Sequence, residues 1–196
     1  SRLRLALLMA LGFVMPSASV AVAEETGRKI EEVIVTAERR EASIQDTSMS
    51  ITAFTTEFMD DFGIRNQEDL QNFVPATTIQ PYDATIRGVG RNFRALGGDP
   101  GVAVYMNGVY SEDLLTATAQ TFWDVSRVEV LRGPQGTLYG RNAVGGAINI
   151  LYKKPQQEMD WSIKSIMGNA GQLESYGMLN GALSDTVSAR VNFALR

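Results

Sequence analysis

Hydrophobic and polar positions alternate well from Val187 to Arg196. Val187, Ala189, Val191, Phe193 and Leu195 fall on one face, and Ser188, Arg190, Asn192, Ala194 and Arg196 on the other. A period of two is that of a strand, because successive side chains leave a pleated backbone on opposite sides. Trp161–Met167 and Leu173–Leu183 predict two more strands of poorer alternation, and Asp185-Thr186 a tight turn before the last. One apolar face and one face with two arginines suits a strand between lipid and a polar lumen, and also a sheet of a soluble sandwich. Three strands cannot close a barrel. The smallest that span a membrane have about 8, and an open edge in lipid leaves backbone groups unpaired. The pattern therefore predicts an N-terminal piece of a larger protein that continues past Arg196.

Upstream the pattern is mixed. Ser48–Phe54 predicts a short strand. Thr55 is placed to cap a helix running to Phe62, with Phe58 and Phe62 on one face and Gly63 at its stop. Asn66 is placed to cap a second helix, with Leu70, Phe73 and Val74 at helical spacing and Pro75 at its end. These phenylalanines are expected in the core. Thr77–Gln80 and Thr85–Arg87 predict strands around a turn at Pro81-Tyr82-Asp83, and Gly88–Gly101 a long loop. Val102–Met106 predicts a strand that Asn107-Gly108 turns back through Val109-Tyr110. Ser111–Gln120 is small and polar, a loop, and Thr121–Val125 is expected to make one helical turn. Two short helices among short strands give an α+β fold.

The stretch Arg127–Tyr152 organises the rest. It opens as a strand, with Val128 and Val130 alternating with Glu129 and Leu131, and turns at Arg132-Gly133-Pro134-Gln135-Gly136. Strand pattern resumes at Ala147–Leu151. Neither the spacing of a P-loop nor that of a dinucleotide fingerprint occurs in this glycine-rich run. It reads instead as a turn where backbones pack closely, since glycine holds no side chain between them.

At the other end, Arg2 and Arg4 precede an apolar run from Leu5 to Met15, and Ala21-Val22-Ala23 offers a small-residue cleavage site before Glu24. That is the layout of a secretory leader over residues 1–23, and the run is about half the roughly 20 residues a membrane helix needs. Removing Arg2 and Arg4 with it takes the formal charge from −4 to −6. Glu24–Ser43 is polar apart from Ile30 and Val33-Ile34-Val35, too poor in apolar residues to hold itself in a core, so disorder in isolation is expected. The β-branched Val33–Thr36 suits either strand addition to a partner's sheet edge or an N-terminal strand of the domain's own sheet. In both cases Val33 and Val35 project to one face.

Composition narrows the chemistry. The 196 residues include no Cys and no His, which removes thiolate chemistry, His-dependent triads and the commonest metal ligand. No catalytic, metal or cofactor site is expected. The net negative charge without a polybasic tract excludes nucleic acid as a partner class.

Four stretches in order carry a family resemblance: Glu31–Ala37, Ile86-Arg87-Gly88, Val102–Tyr110 and the glycine-rich run from Arg127 to Tyr152. The chain resembles the TonB-dependent outer-membrane receptors. The resemblance implies a leader (1–23), a flexible segment (24–42), a plug domain (43–155) and the start of a barrel (156–196). The fold would be an α+β plug, a short mixed β-sheet with two short helices, followed by the first three antiparallel strands of a transmembrane β-barrel. Glu31, Glu32, Val33, Ile34, Val35, Thr36 and Ala37 would be the TonB box, which the periplasmic domain of TonB captures by strand addition. Arg87 and Arg132 would latch the plug to carboxylates of the barrel wall, with Glu129 as a member of that network within the plug. Apical loops bearing Tyr82, Asp83, Arg91, Asn92, Phe93 and Arg94 would contact the substrate. The implied role is active transport across the Gram-negative outer membrane, with no bond of the substrate broken. A ferric siderophore or similar iron chelate comes first as cargo; cobalamin, haem and oligosaccharide are alternatives. A signal-transducing receptor and a stand-alone periplasmic binding module are rival readings.

Overall fold

The computed structural model describes residues 33–36, 42–81, 83–91, 98–111 and 121–195. The leader thus lies outside the described residues. The core is a five-stranded mixed sheet of order β3-β8-β9-β6-β7. Its strands are β3 (Ile51–Thr55), β6 (Val102–Met106), β7 (Val109–Ser111), β8 (Val125–Arg132) and β9 (Gly146–Tyr152). The β6–β9 pair is parallel and the other pairs are antiparallel.

Both faces of this sheet are covered, so its central strands carry apolar residues at consecutive positions. Val128, Val130, Ile148, Ile150, Val102 and Val104 face one layer. That layer contains Met59 of α1 (Thr56–Asp61), Leu70, Val74, and the hairpin of β4 (Thr77–Gln80) and β5 (Asp83–Ile86). Leu131, Ala147, Ala103 and Tyr105 face the other, where Val35 and Tyr139 pack. Val35 belongs to β1 (Ile34–Val35), which pairs with β2 (Ala42–Ser43), and Tyr139 to α2 (Gly136–Tyr139).

Local chemistry explains the elements. The Thr55 hydroxyl accepts from the Phe58 N–H and starts α1, and Gly63 takes the left-handed conformation just after it. Asn66 caps reciprocally with Asp69: its Oδ1 accepts from the Asp69 N–H at 3.0 Å, and Asp69 Oδ2 accepts from the Asn66 N–H at 3.1 Å. The helix that follows, Glu68–Asn72, is a 3₁₀ turn rather than an α-helix. Asn107 and Gly108 both have positive φ, as a two-residue hairpin turn of this twist requires.

Several expectations are corrected. Phe58 and Phe62 stack at 4.4 Å but stay on the surface, because α1 buries only Met59; Phe54 is the core phenylalanine. Thr121–Asp124 forms no helical turn, and Val125 already opens β8. The glycine-rich run contains a short helix, α2. Arg87 lies outside β5, with a φ of 53°. The close backbone approach expected of this run is present: a Cβ on Gly146 would lie 2.3 Å from the Leu131 carbonyl oxygen.

The remaining strands, β10 (Asp160–Met167), β11 (Leu173–Ser184) and β12 (Val187–Leu195), form a separate antiparallel sheet. Residues 185–186 make the turn expected before β12. Trp161, Ile163, Leu179, Val191, Phe193 and Leu195 point outward and are at least half exposed. Tyr176, Met178 and Asn180 point inward and are buried. The poorer alternation of β11 has two causes. Its inward positions are apolar where the domain covers them, and outward Gly177 sits beneath the ring of Phe193, its partner in register.

Candidate functional site

Three groups of side chains stand out, and the first holds the N-terminal segment. Val33 and Val35 face inward onto the sheet while Ile34 is exposed, the shared face expected of a β-branched segment. Val35 is buried among Ala103, Tyr105, Leu131, Tyr139, Ala143 and Ala147. Beside it the Thr36 N–H donates to Glu129 Oε1 at 2.7 Å, and the Thr36 hydroxyl approaches both carboxylate oxygens at 3.1 and 3.2 Å. Arg127 Nε donates to Glu129 Oε1 at 2.8 Å and Asn149 Nδ2 to Oε2 at 3.2 Å. Glu129 is fully buried, so each of these donors replaces water it has lost.

Val33–Thr36 are thus docked on the chain's own sheet, a state that the expectation of disorder in isolation does not address. The reason is tertiary: the sheet offers an apolar slot and a buried carboxylate that composition does not reveal. Glu31, Glu32 and Ala37 lie outside the described residues.

The second group lies at the far ends of β5 and β8. The Arg132 N–H donates to the Ser50 carbonyl at 2.9 Å, and Arg87 Nη2 donates to the Ser50 hydroxyl at 3.2 Å. Ser50 thus touches the backbone of Arg132 and the side chain of Arg87. Among the described residues Arg132 Nε is buried without a partner. By strand parity Glu129 lies on the opposite face of β8 from Arg132.

At the loops, the Arg91 N–H donates to Asp83 Oδ1 at 3.1 Å, which ties the β4–β5 turn to the start of the next loop. Tyr82, Asn92, Phe93 and Arg94 lie outside the described residues. Among the described residues no cluster of three or more acidic side chains could hold a metal ion.

The third group joins the domain to the β10–β12 sheet, and sequence reading missed it. The Arg190 guanidinium donates through Nε and Nη2 to the two carboxylate oxygens of Asp124, and Asn192 Nδ2 donates to Oδ2 at 2.9 Å. Trp123 stacks against Tyr176 at 5.4 Å, and its Nε1–H donates to the Gly177 carbonyl at 3.2 Å. Arg65 pairs with Glu174. The available signal was the polar face of β12, which marked Arg190 and Asn192 as inward but not their partner.

Comparison with known proteins bears on the family and the fold. The model of the TonB-dependent Receptor Plug Domain matches residues 43–147, just over half of the chain. The ferripyoverdine receptor of Pseudomonas aeruginosa is 31% identical over 174 residues, 86% of this chain and 21% of that protein. The pesticin receptor of Yersinia pestis is 30% identical over 183 residues, 89% of this chain and 26% of that protein. The crystal structure of the ferripyoverdine receptor bound to ferripyoverdine superposes with a TM-score of 0.68 at 27% identity, covering 83% of this chain and 22% of that one. The ferric yersiniabactin uptake receptor FyuA from Yersinia pestis superposes with a TM-score of 0.60 at 29% identity, covering 74% of this chain and 24% of that one. The chain thus spans about a fifth to a quarter of the length of these relatives. By its mixed sheet, the match over residues 43–147 and these superpositions, the chain belongs to the TonB-dependent receptors of the Gram-negative outer membrane, a family of receptors rather than enzymes, and carries their plug domain.

Proposed function

We propose that this chain supplies the gate and the first wall strands of an active transporter for a scarce nutrient, with a ferric siderophore or similar iron complex as cargo. The observation that carries the reading is the docking of Val33–Thr36 on the sheet face through buried Val35, partly buried Val33 and the Glu129 carboxylate. Burying Val35 contributes roughly 1.5–3 kcal/mol, and a hydrogen bond to a charged group about as much. Ordering four residues opposes this by about 1–2 kcal/mol each. The docked state is therefore marginal, and a ligand on the opposite side needs only a small differential affinity to shift it.

Once free, the β-branched segment Glu31–Ala37 has the composition to add as a strand to the periplasmic domain of TonB. Arg87, whose guanidinium rests on the Ser50 hydroxyl, and Arg132, whose backbone N–H bonds the Ser50 carbonyl, carry guanidinium groups of a kind suited to carboxylates of the barrel wall. The outward apolar side chains of β10–β12 suit contact with outer-membrane lipid. An iron cargo is supported by the relatives: one is a ferripyoverdine receptor and another a catecholate siderophore receptor.

The reading is tested by titrating a Glu31–Ala37 peptide with the TonB periplasmic domain, and by following uptake of ⁵⁵Fe-loaded siderophores in iron-starved cells with and without the gene. Saturable binding and gene-dependent, TonB-dependent uptake are expected. A peptide that does not bind sinks the tail assignment, and uptake that ignores the gene sinks the cargo.

A further inference from the structure

We propose that Asp124 is the positioning residue that seats the plug on the inner face of β10–β12, and that its fork with Arg190 and Asn192 seals this side of the lumen against ions and water. The inference rests on the transporter reading only in taking the enclosed space for a lumen.

Four features converge on Asp124. Its side chain and that of Arg190 are 4% and 6% exposed, so the pair is withdrawn from solvent although Asp124 precedes β8 and Arg190 belongs to β12. Asp124 has a φ of 58°, a left-handed conformation that Asp tolerates better than most residues, and this kink is set immediately before β8. The carboxylate receives three donors, two from Arg190 and one from Asn192, and the Asp124 carbonyl accepts from the Lys153 N–H at 3.1 Å. On one flank Trp123 closes onto Tyr176 and Gly177. On the other lies a cavity of about 330 Å³, lined in part by Asp60, Asp124, Asp160, Lys153 and Lys164. Such a charged void holds water, and Asp124 is part of its wall.

The value of the pair lies in placement more than in net stability. Exchanging a whole buried ion pair for neutral groups is often tolerated, whereas removing one partner strands the other's charge out of water. A stranded Arg190 or Asp124 recovers its hydration only if the seam opens and the cavity extends along the wall. The seated-to-open ratio is then expected to fall by roughly two to three orders of magnitude.

The test uses the full-length receptor reconstituted in planar phosphatidylcholine bilayers in potassium chloride, with neither ligand nor TonB present, so a failure of the transport reading leaves this result interpretable. Asp124→Asn and Arg190→Gln are each expected to raise the passive conductance by at least about tenfold, and the double variant to return toward the parent. Damage unrelated to the ion pair would not be reversed by the second substitution, and an unchanged melting temperature of the single variants separates a leak from a loss of folding. Should the single variants not reach the membrane, Trp123→Phe and Asn192→Ala keep the ion pair and are expected to leak severalfold more than the parent. The proposal is overturned if the single variants conduct like the parent, if the double variant leaks as much as the singles, or if the two fallback variants stay sealed.

Discussion

Glu129→Gln isolates the contact that holds the N-terminal segment. The side chain is fully buried and accepts from Thr36, Arg127 and Asn149. Gln has the same shape, but it removes the charge and brings an NH₂ donor to a site where Thr36 and Arg127 already donate. A hydrogen bond to a charged group contributes about 1.5–3 kcal/mol net and a neutral one about 0.5–1.5. Thr36 makes both a backbone and a hydroxyl contact, so docking should weaken by about 1–3 kcal/mol, or roughly 5–150-fold. Hydrogen exchange at the Val35 and Thr36 amides should accelerate by that factor. The apparent affinity for the TonB periplasmic domain should rise in parallel until the docked form is no longer dominant, because that form taxes binding. The substitution lies outside Glu31–Ala37, so a changed affinity cannot come from altered recognition residues. Unchanged exchange and affinity in a variant with the parent's melting temperature would refute the claim that Glu129 restrains the tail.

Two further substitutions probe the framework. Gly146→Ala places a Cβ 2.3 Å from the Leu131 carbonyl oxygen and 2.8 Å from Ile86 Cδ1, so it should destabilise the domain by about 1–3 kcal/mol. A lowered urea midpoint is expected, and an unchanged one would show that the β8–β9 pair has room to give. Phe193→Arg puts a charge on the outward face of β12 and should cost about 2–4 kcal/mol near the bilayer midplane. The heat-modifiable, membrane-inserted fraction should fall, and full insertion would argue that this face does not meet lipid.

Much of the secondary structure follows from local pattern. The Thr55 cap, the Asn66–Asp69 exchange, the Asn107-Gly108 turn and the bounds of β6, β10 and β12 depend on neighbours within a few residues, which the sequence displays directly. Periodicity also assigned Val33 and Val35 to one face, and separated the apolar and polar sides of β12.

What periodicity cannot carry is the identity of the surface opposite. Glu129 was placed with Leu131 correctly, yet its partners come from the tail, from Arg127 two positions along the same face, and from β9. Phe58 and Phe62 share a helical face as expected, but Phe54 and Phe73 cover it only in part, so both stay at the surface. The poor alternation of β11 resolves only once Trp123 is seen against Tyr176. The sequence by itself determined most of the strands and the hairpin turns, and which family the chain resembles. Only the tertiary structure decided that the tail is docked, that the Arg87 side chain reaches Ser50, and that Asp124 meets Arg190, 66 positions away. The reason is that a local pattern records which side chains leave the backbone together, while burial and charge pairing depend on what long-range chain closure brings to face them.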